Sequence, residues 1–206
     1  AIKIAKPSLK VIVFSGDGDS YGEGLEHLIF AAKRNIDITM IIHNNRVYGL
    51  TTGQYTPTSP LGFRGRSTPE GTKEIPINPL ELMLASGATF LARGTSHGIE
   101  QLKKIFKSAI LHKGFSLVDV LQVCVTYYNM YEYYDKRVYE LSDHNPRDPG
   151  QALAKIKEWD YNQDSRIPLG VFYKADRPSF EENFQISSPA ETEINSKIQE
   201  YLKQTI

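Results

Sequence analysis

The sequence predicts an α/β domain, a mostly parallel and twisted sheet with helices on both faces. Short runs of β-branched and aromatic residues alternate with longer stretches whose apolar residues recur at helical spacing. The short runs are typical of buried strands, and this alternation is typical of a parallel sheet covered by helices. A length of 206 residues suits one domain with a sizeable core.

In the first part of the chain, strands are predicted at 10–14 and 38–42, with a helix at about 22–34 between them. A segment from 44 to 77 is rich in Gly, Pro, Thr and Arg and has no sustained period. Loops of this length are uncommon inside compact domains and are usually functional or disordered.

The alternation resumes at Asn78, which is predicted to cap a helix that has Pro79 in its first turn. Gly114 is predicted to stop a later helix before a strand that leads to Cys124. The elements predicted in this part are a helix at 79–86, a strand at 89–92, a helix at 97–112, a strand at 115–121, a tyrosine-rich stretch at 126–141, a polar linker at 142–150, a helix at 151–159, a strand at 169–173 and a terminal helix from about Pro189.

The composition excludes several functional classes. The 24 basic residues balance 24 acidic ones, which argues against a broad nucleic-acid footprint. A single cysteine forms no internal disulfide and cannot alone hold a structural zinc or an iron–sulfur cluster. No apolar run approaches the roughly 20 residues that span a bilayer, and the first residues lack a signal-peptide core. We therefore expect a cytoplasmic protein that binds neither membrane nor nucleic acid.

The most informative motif is Gly16-Asp17-Gly18-Asp19, directly after the first strand and before a helix. Ligands bind at this edge of open parallel sheets, where glycines allow close approach and a helix N-terminus favours an anion. An acidic residue tolerates that anion only when a cation lies between them, so Asp17 suggests a metal-bridged phosphate. The alternative, that Asp-Gly is simply turn chemistry, stays open on the loop alone.

Other phosphate-binding motifs do not fit, because the sequence has neither a P-loop nor a GxGxxG dinucleotide fingerprint. The next strand instead ends in His43-Asn44-Asn45, 28 residues after Asp17. A carboxylate and an amide oxygen at adjacent strand ends can converge on one hard cation, with backbone carbonyls completing its oxygen shell.

This GDG…NN spacing is that of the thiamine diphosphate motif, and the sequence resembles the β subunit of 2-oxoacid:ferredoxin oxidoreductases. The resemblance covers nearly the whole chain through the blocks NIDITMIIHNNRVYGLTTGQYTPTSP, INPLELMLASGATFLARG, HKGFSLVDVLQVCVTYYN and RIPLGVFY. It implies a thiamine-diphosphate-binding fold. We expect residues 1–141 to form the cofactor-binding domain without its N-terminal part, and residues 142–206 to be a C-terminal extension completing the same domain.

The resemblance also implies roles for individual residues. Asp17 and Asn45 match the side-chain ligands of magnesium, and Val47 matches a backbone-carbonyl ligand. Asp19 belongs to the same cofactor loop, where it more often satisfies backbone amides than binds metal. The positions expected to bind the cofactor are Gly16, Gly18, Asp19, Gly49, Leu50 and, through a cluster, Cys124.

Cys124 taken alone is most simply a buried small hydrophobic residue. The resemblance instead implies that it is one ligand of a [4Fe–4S] cluster whose other ligands are not in this chain. The family supplies those from an N-terminal stretch with a CxxC, which we expect to precede Ala1; loss of the cluster is the alternative.

The implied function is oxidative decarboxylation of a 2-oxoacid, pyruvate or 2-oxoglutarate, to an acyl-coenzyme A with reduction of ferredoxin. The chain is expected to be active only with its α (or α/γ) partner subunit, and no catalytic side chain is identified in it. Two alternatives stay open: a non-oxidative thiamine diphosphate decarboxylase or acetolactate-synthase-like domain, and a non-catalytic α/β assembly subunit.

Several other residues could contribute to substrate binding or to subunit assembly. The family often has a lysine where Thr52 stands, which leaves the preference for 2-oxoacids open. Arg64, Arg66 and Arg93 are interpreted as solvated or ion-paired surface residues, with pairing to a carboxylate or a coenzyme A phosphate as the alternative. The tyrosine-rich stretch is expected to pack at a subunit interface.

Overall fold

Six strands of the chain form one sheet, in which neighbouring strands run parallel except at a single junction. The computed structural model describes residues 1–184 and 191–204. The strands of the sheet are β1 (Val11–Gly16), β2 (Ile38–Asn44), β5 (Phe90–Thr95), β6 (Ser116–Leu121), β7 (Val138–Glu140) and β8 (Ile167–Lys174), and a separate hairpin contains β3 (Val47–Tyr48) and β4 (Gln54–Tyr55). The sheet order is β1-β2-β6-β5-β8-β7, and only the β5–β8 pair is antiparallel. The predicted mostly parallel sheet is confirmed.

Helices cover both faces of this sheet, as predicted. They are α1 (Ile2–Ala5), α2 (Leu25–Arg34), α3 (Pro79–Ala85), α4 (Ile99–Leu111), α5 (Tyr131–Asp135), α6 (Pro149–Ile156), α7 (Phe180–Asn183) and α8 (Glu191–Gln204). Ile42 and Leu117 point to the core cluster that includes residues of α2, α3 and α6, whereas Ile41 and Val118 point to the cluster with α4. Successive residues of one strand thus enter different cores, which explains why apolar residues predominate on both faces of the central strands.

The segment after β1 differs from its prediction. The expected helix at 22–34 is preceded by a π-helical segment, Gly18–Glu23, and α2 begins only at Leu25. The Gly24 amide donates to the Asp19 carbonyl at 2.6 Å, which gives the wider turn. The π-helical segment places Asp17 directly between the strand and the start of this wide turn.

Other boundaries shift by a few residues. The strand predicted at 169–173 is longer and joins the sheet antiparallel to β5. The tyrosine-rich stretch contains two short elements that periodicity did not reveal, α5 and β7. The predicted start of the terminal helix, Pro189, lies outside the described residues, which include α8 from Glu191 onward. None of the helices described is long and apolar enough to cross a membrane.

The arrangement of parallel strands brings three sequence motifs to one edge. The carboxyl ends of β1, β2 and β6 are adjacent in the sheet, and they lead into Asp17, Asn45 and Cys124 respectively. The long segment from 44 to 77, which contains the β3–β4 hairpin, supplies further residues at this edge.

Candidate cofactor-binding site

A cavity of about 340 Å³ opens at the carboxyl ends of β1 and β2. It brings together both halves of the GDG…NN pattern, although 28 residues separate Asp17 from Asn45. Every predicted cofactor or metal position except Cys124 lines this cavity. The lining residues are Gly16, Asp17, Gly18, Asp19, Glu23, Asn45, Val47, Tyr48, Gly49, Leu50 and Thr51.

Asp17 is a buried carboxylate that lacks a cationic partner. The residue is only 2% exposed, and no basic side chain within the described part of the chain forms an ion pair with it. Burial raises the pKa of the Asp17 carboxyl to about 6, although hydrogen bonds from Thr56 and Thr58 oppose this shift. A carboxylate in this environment is stabilised by a cation, because opposite charge offsets the loss of hydration.

Thr58 connects the carboxyl ends of β1 and β2 next to the cavity. Its fully buried hydroxyl lies 2.9 Å from Asp17 Oδ2 and 3.0 Å from Asn44 Oδ1. The hydroxyl carries one proton, so it donates to one of these oxygens at a time. Asn44 in turn donates through Nδ2 to Asp119 Oδ1 at 3.0 Å. Asp17 is therefore held by a chain of side chains that reaches the strand β6.

Thr58 was not predictable as a site residue because it lies in the long segment without periodicity. The only signal was the Thr-Pro-Thr-Ser run at 56–59. Thr56 and Ser59 lie within hydrogen-bond distance of each other, and Thr56 lies 3.2 Å from the Thr58 hydroxyl. The run supplies hydroxyls where two strand ends would otherwise bury unpaired oxygens.

Replacement of Thr58 by valine is expected to lower the free energy of unfolding by about 1–3 kcal/mol. The change keeps the shape of the side chain but removes the one proton that Thr58 donates to a buried oxygen of Asp17 or Asn44. Thr58→Ser retains the hydroxyl and is the matched control. Denaturant titration of both variants measures the difference, and equal stability of the two would contradict this role for the hydroxyl.

The turn between β2 and β3 holds Asn45 and Val47 in a fixed conformation. The Val47 amide donates to Asn45 Oδ1 at 3.0 Å, which is an Asx turn. Arg46 between them has φ of 61°, a left-handed conformation that is uncommon for a residue with a Cβ. Two hydrogen bonds of the buried Arg46 stabilise this conformation. Its side-chain Nε donates to the Thr58 carbonyl at 2.8 Å, and its backbone carbonyl accepts from Ser59 Oγ at 2.7 Å.

A buried polar network around Asp119 of β6 supports the site. Asp119 accepts hydrogen bonds from the hydroxyls of Tyr21, at 3.0 Å, and Tyr161. The Arg93 guanidinium lies 3.7 Å from the same carboxylate, and both charged side chains are 0% exposed. Burial raises the pKa of each tyrosine well above its ordinary value, so both remain neutral donors. The prediction that Arg93 is a surface arginine is wrong, because position 93 points into the core from β5.

Gly18 is the position where the loop approaches an aromatic ring. A Cβ at this residue would overlap the ring of Tyr48, whose hydroxyl donates to the Gly18 carbonyl at 3.1 Å. Asp19 accepts from the Gly16 amide at 3.4 Å, so its carboxylate lies toward the backbone of its own loop, as expected. The glycine thus allows Tyr48 to form one wall of the cavity.

The β3–β4 hairpin brings the cavity close to Cys124. Leu50 at the hairpin tip is 100% exposed, and its neighbour Gly49 lines the cavity. A Cβ at Gly49 would lie 3.9 Å from Cys124 Sγ. Cys124 is partly buried and free, three residues after β6. The thiol therefore lies beside the predicted cofactor cavity without lining it.

The donors of this cavity fit one hard cation and an anion beside it. They comprise one buried carboxylate, a side-chain amide and backbone groups of two glycine-containing turns, which is the oxygen-rich chemistry that Mg²⁺ prefers. Across residues 1–184 and 191–204, no three His, Cys, Asp or Glu side chains are grouped to hold a metal. An iron–sulfur cluster needs about four ligands, and one cysteine does not fit it without others.

Comparison with known families covers most of the chain. The family model described as "Thiamine pyrophosphate enzyme, C-terminal TPP binding domain" matches residues 1–120, and the model for the C-terminal part of the pyruvate ferredoxin oxidoreductase beta subunit matches residues 124–188. The 2-oxoacid:ferredoxin oxidoreductase subunit beta of Saccharolobus solfataricus is 44% identical over 204 residues, covering 92% of this chain. The 2-oxoglutarate synthase subunit KorB of Methanocaldococcus jannaschii is 35% identical over 182 residues, 88% of this chain and 67% of the relative. The chain belongs to the family of 2-oxoacid:ferredoxin oxidoreductase β subunits.

Structural comparison agrees with this family. The chain is similar to a solved 2-oxoglutarate:ferredoxin oxidoreductase from Magnetococcus marinus, with 2-oxoglutarate, coenzyme A and succinyl-CoA bound. The TM-score is 0.84 at 31% identity, over 98% of this chain and 65% of the other. The predicted thiamine-diphosphate-binding fold and the family resemblance are thereby confirmed. This β subunit spans 66% of the length of its Saccharolobus relative and 65% of the solved one.

Proposed function

We propose that this chain is the thiamine-diphosphate-binding β subunit of a 2-oxoacid:ferredoxin oxidoreductase. The observation that carries the proposal is the buried carboxylate of Asp17, which no basic side chain of residues 1–184 and 191–204 pairs with, at the glycine-lined cavity between two strand ends. A magnesium diphosphate supplies the cation that Asp17 lacks and the anion that the glycine-containing turns accommodate. Neither alternative of the sequence analysis has a specific observation in its favour.

We assign the cation to three ligands of this chain: the carboxylate of Asp17, the amide oxygen of Asn45 and the carbonyl of Val47. Gly16 and Gly18 would face the diphosphate, and Asp19 would order their loop. Gly49 and Leu50 would face the thiazolium. An apolar, fully exposed Leu50 beside Gly49 is consistent with a side chain that is covered by the cofactor or by the partner.

Thiamine diphosphate, when bound, would supply a nucleophilic carbon for the 2-oxoacid and a sink for the electron pair that stays behind when CO₂ departs. The residues of this chain bind and orient. Thr58 and Asn44 fix Asp17, the Arg46 turn fixes Asn45 and Val47, and the β3–β4 hairpin forms the wall on the thiazolium side. Fixed orientation of reactants is a main source of rate enhancement in enzymes.

Pyruvate and 2-oxoglutarate are the proposed 2-oxoacids, with coenzyme A as acyl acceptor and ferredoxin as electron acceptor. Relatives named 2-oxoglutarate synthase subunit support the second acid, and coenzyme A is bound in the related solved structure. The name of the family model at residues 124–188 supports the first. We also propose that an α (or α/γ) partner is required to complete the enzyme.

The decisive experiment is reduction of ferredoxin or a viologen by the assembled complex. We expect reduction that requires 2-oxoacid, coenzyme A, thiamine diphosphate and Mg²⁺ together. Carbanion chemistry without reduction would favour the non-oxidative enzyme. Absence of any heat when thiamine diphosphate and Mg²⁺ are titrated into the complex would leave the assembly subunit as the explanation.

Cys124 is proposed as one ligand of a [4Fe–4S] cluster whose remaining ligands come from outside the sequence given. Its support is the position of Sγ beside Gly49, at the cofactor cavity. Cys124→Ser is expected to reduce the cluster absorbance and its electron paramagnetic resonance signal in the complex while thiamine diphosphate binding changes less than about threefold. Thr126→Ser, two residues away, is the matched control; an unchanged cluster signal in Cys124→Ser would remove this assignment.

We further propose that residues 1–141 and 142–206 act as one domain, because β8 of the later segment pairs with β5 of the earlier one. The cytoplasmic location, the absence of nucleic-acid binding and the tyrosine-rich interface remain predictions from the sequence.

A further inference from the structure

A second cavity, of about 380 Å³, lies at the other side of the hairpin turn. Thr51 lines the cofactor cavity, whereas the next two residues, Thr52 and Gly53, line the second one. Tyr127, three residues after Cys124, forms another part of its wall. The second cavity therefore adjoins the cofactor cavity and the segment that contains the free thiol.

The charge of this cavity is one-sided. Arg64 and Arg66 line it, and among the described residues no carboxylate does. Both arginines are exposed, and neither forms an ion pair with an acidic side chain in the part of the chain that the structure describes. Several other arginines here do pair with a carboxylate, including Arg93, Arg137 and Arg147. Two unneutralised guanidinium groups in one concave site attract an anion.

The turn beneath the arginines is locally constrained. Thr52 has φ of 74° and Gly53 has φ of 95°, so a residue with a Cβ occupies the left-handed region next to a glycine. Arg66 donates from its guanidinium to Thr52 Oγ1 at 3.0 Å. A Cβ at Gly53 would meet the ring of Tyr127 at 3.0 Å, and one at Gly65 would overlap the Gly53 carbonyl. The hydrogen bond to Thr52 places the Arg66 guanidinium beside the turn that lines both cavities.

We propose that Arg64 and Arg66 form an anion subsite that holds the charged end of a substrate whose reacting atom lies in the cofactor cavity. This inference rests on the proposed function and adds a specificity element to it. The ligand chemistry is a carboxylate or phosphate bound by paired guanidinium groups. Its two sources are the distal carboxylate of a dicarboxylic 2-oxoacid and a phosphate of coenzyme A.

The test compares Arg64→Ala, Arg66→Ala and the double variant with wild type in the assembled complex. Steady-state reduction of methyl viologen is measured with 2-oxoglutarate or 2-oxobutyrate as acid, and with coenzyme A or pantetheine as thiol. A carboxylate subsite raises KM for 2-oxoglutarate by about 10-fold or more in the double variant and leaves KM for 2-oxobutyrate unchanged. A phosphate subsite raises KM for coenzyme A alone and leaves pantetheine unaffected.

Several controls separate the subsite from a structural role. Arg66→Lys retains the charge and is expected to recover part of the affinity, while Arg147→Ala at a distant exposed pair leaves every KM unchanged. The values of kcat stay within about twofold in all variants, because the arginines bind the substrate at a distance from its reacting atom. Unchanged KM for all four substrates in the double variant overturns the proposal.

A binding measurement makes the test independent of turnover. 2-Oxoglutarate and coenzyme A are titrated calorimetrically into the wild-type and double-variant complexes. A wild-type complex that binds either ligand but catalyses no reduction would contradict the proposed function, and loss of that binding in the double variant would still support the subsite. Equal binding by both complexes, or binding by neither, overturns it.

Discussion

Asp17→Asn is expected to abolish cofactor binding and to stabilise the cofactor-free protein above pH 6. Burial raises the pKa of the Asp17 carboxyl from 3.8 to about 6, so the folded state holds a proton that the unfolded state releases between these values. Folding stability therefore falls as pH rises from about 4 to 6. The raised pKa corresponds to roughly 3 kcal/mol at neutral pH, and the uncharged asparagine does not incur this cost.

Two measurements test the effect of Asp17→Asn. Calorimetric titration of the complex with thiamine diphosphate and Mg²⁺ should show affinity at least 100-fold lower than wild type, because the side chain loses the charge that neutralises the cation. Denaturant unfolding of the cofactor-free protein at pH 5 and pH 7.5 should show the larger stability gain at the higher pH. Asp19→Asn, in the same loop but exposed, should change the free energy of unfolding by less than about 0.5 kcal/mol. Wild-type cofactor affinity in Asp17→Asn would refute the proposed ligand.

Asp119→Asn is expected to lower the free energy of unfolding by about 3–5 kcal/mol. The substitution removes the only carboxylate that pairs with the buried Arg93 in the described chain, and an uncompensated buried charge is costly. The guanidinium would keep only its contacts with neutral groups, including the rings of Trp159, Tyr161 and Phe172 at 5.1 to 5.2 Å. Asn44 would lose its charged acceptor as well, which loosens the chain of contacts that leads through Thr58 to Asp17.

A double-mutant cycle isolates the pair from the rest of the network. Arg93→Met combined with Asp119→Asn should be less destabilising than the sum of the single variants, since neither charge is then left alone. Asp176→Asn, which disrupts an exposed pair with Arg147, should change the free energy of unfolding much less than Asp119→Asn does. Additive losses in the cycle would show that Arg93 and Asp119 do not stabilise each other.

The elements that set the position of the cofactor cavity were predictable because their signals are local. Apolar strand runs, helical spacing and the glycines of GDGD are read from neighbouring residues, and parallel pairing then brings Asp17 and Asn45 to one edge. The features that were missed depend on distant contacts instead. The π-helical segment before α2 and the left-handed Arg46 pack against other parts of the chain, which periodicity does not encode.

The supporting network was not predictable from one sequence. Thr58 meets Asp17 across 41 residues, and Tyr21 meets Asp119 across 98. Each of these residues alone resembles ordinary loop or strand composition, and only the folded chain makes Thr58 a partner of a buried acid. Arg93 was misplaced for the same reason, because a buried arginine is rare unless a partner distant in sequence neutralises it.

The hairpin turn from Tyr48 to Gly53 couples the shapes of the two cavities. Consecutive residues of this turn line the two cavities, Thr51 the cofactor cavity and Thr52 and Gly53 the second one. The left-handed backbone at Thr52 and Gly53 restricts which residues can replace these two. A mutation in the turn therefore alters both cavities together. The segment with Arg64 and Arg66 borders only the second cavity. Substitutions in that segment should therefore reshape the second cavity while the cofactor cavity keeps its lining.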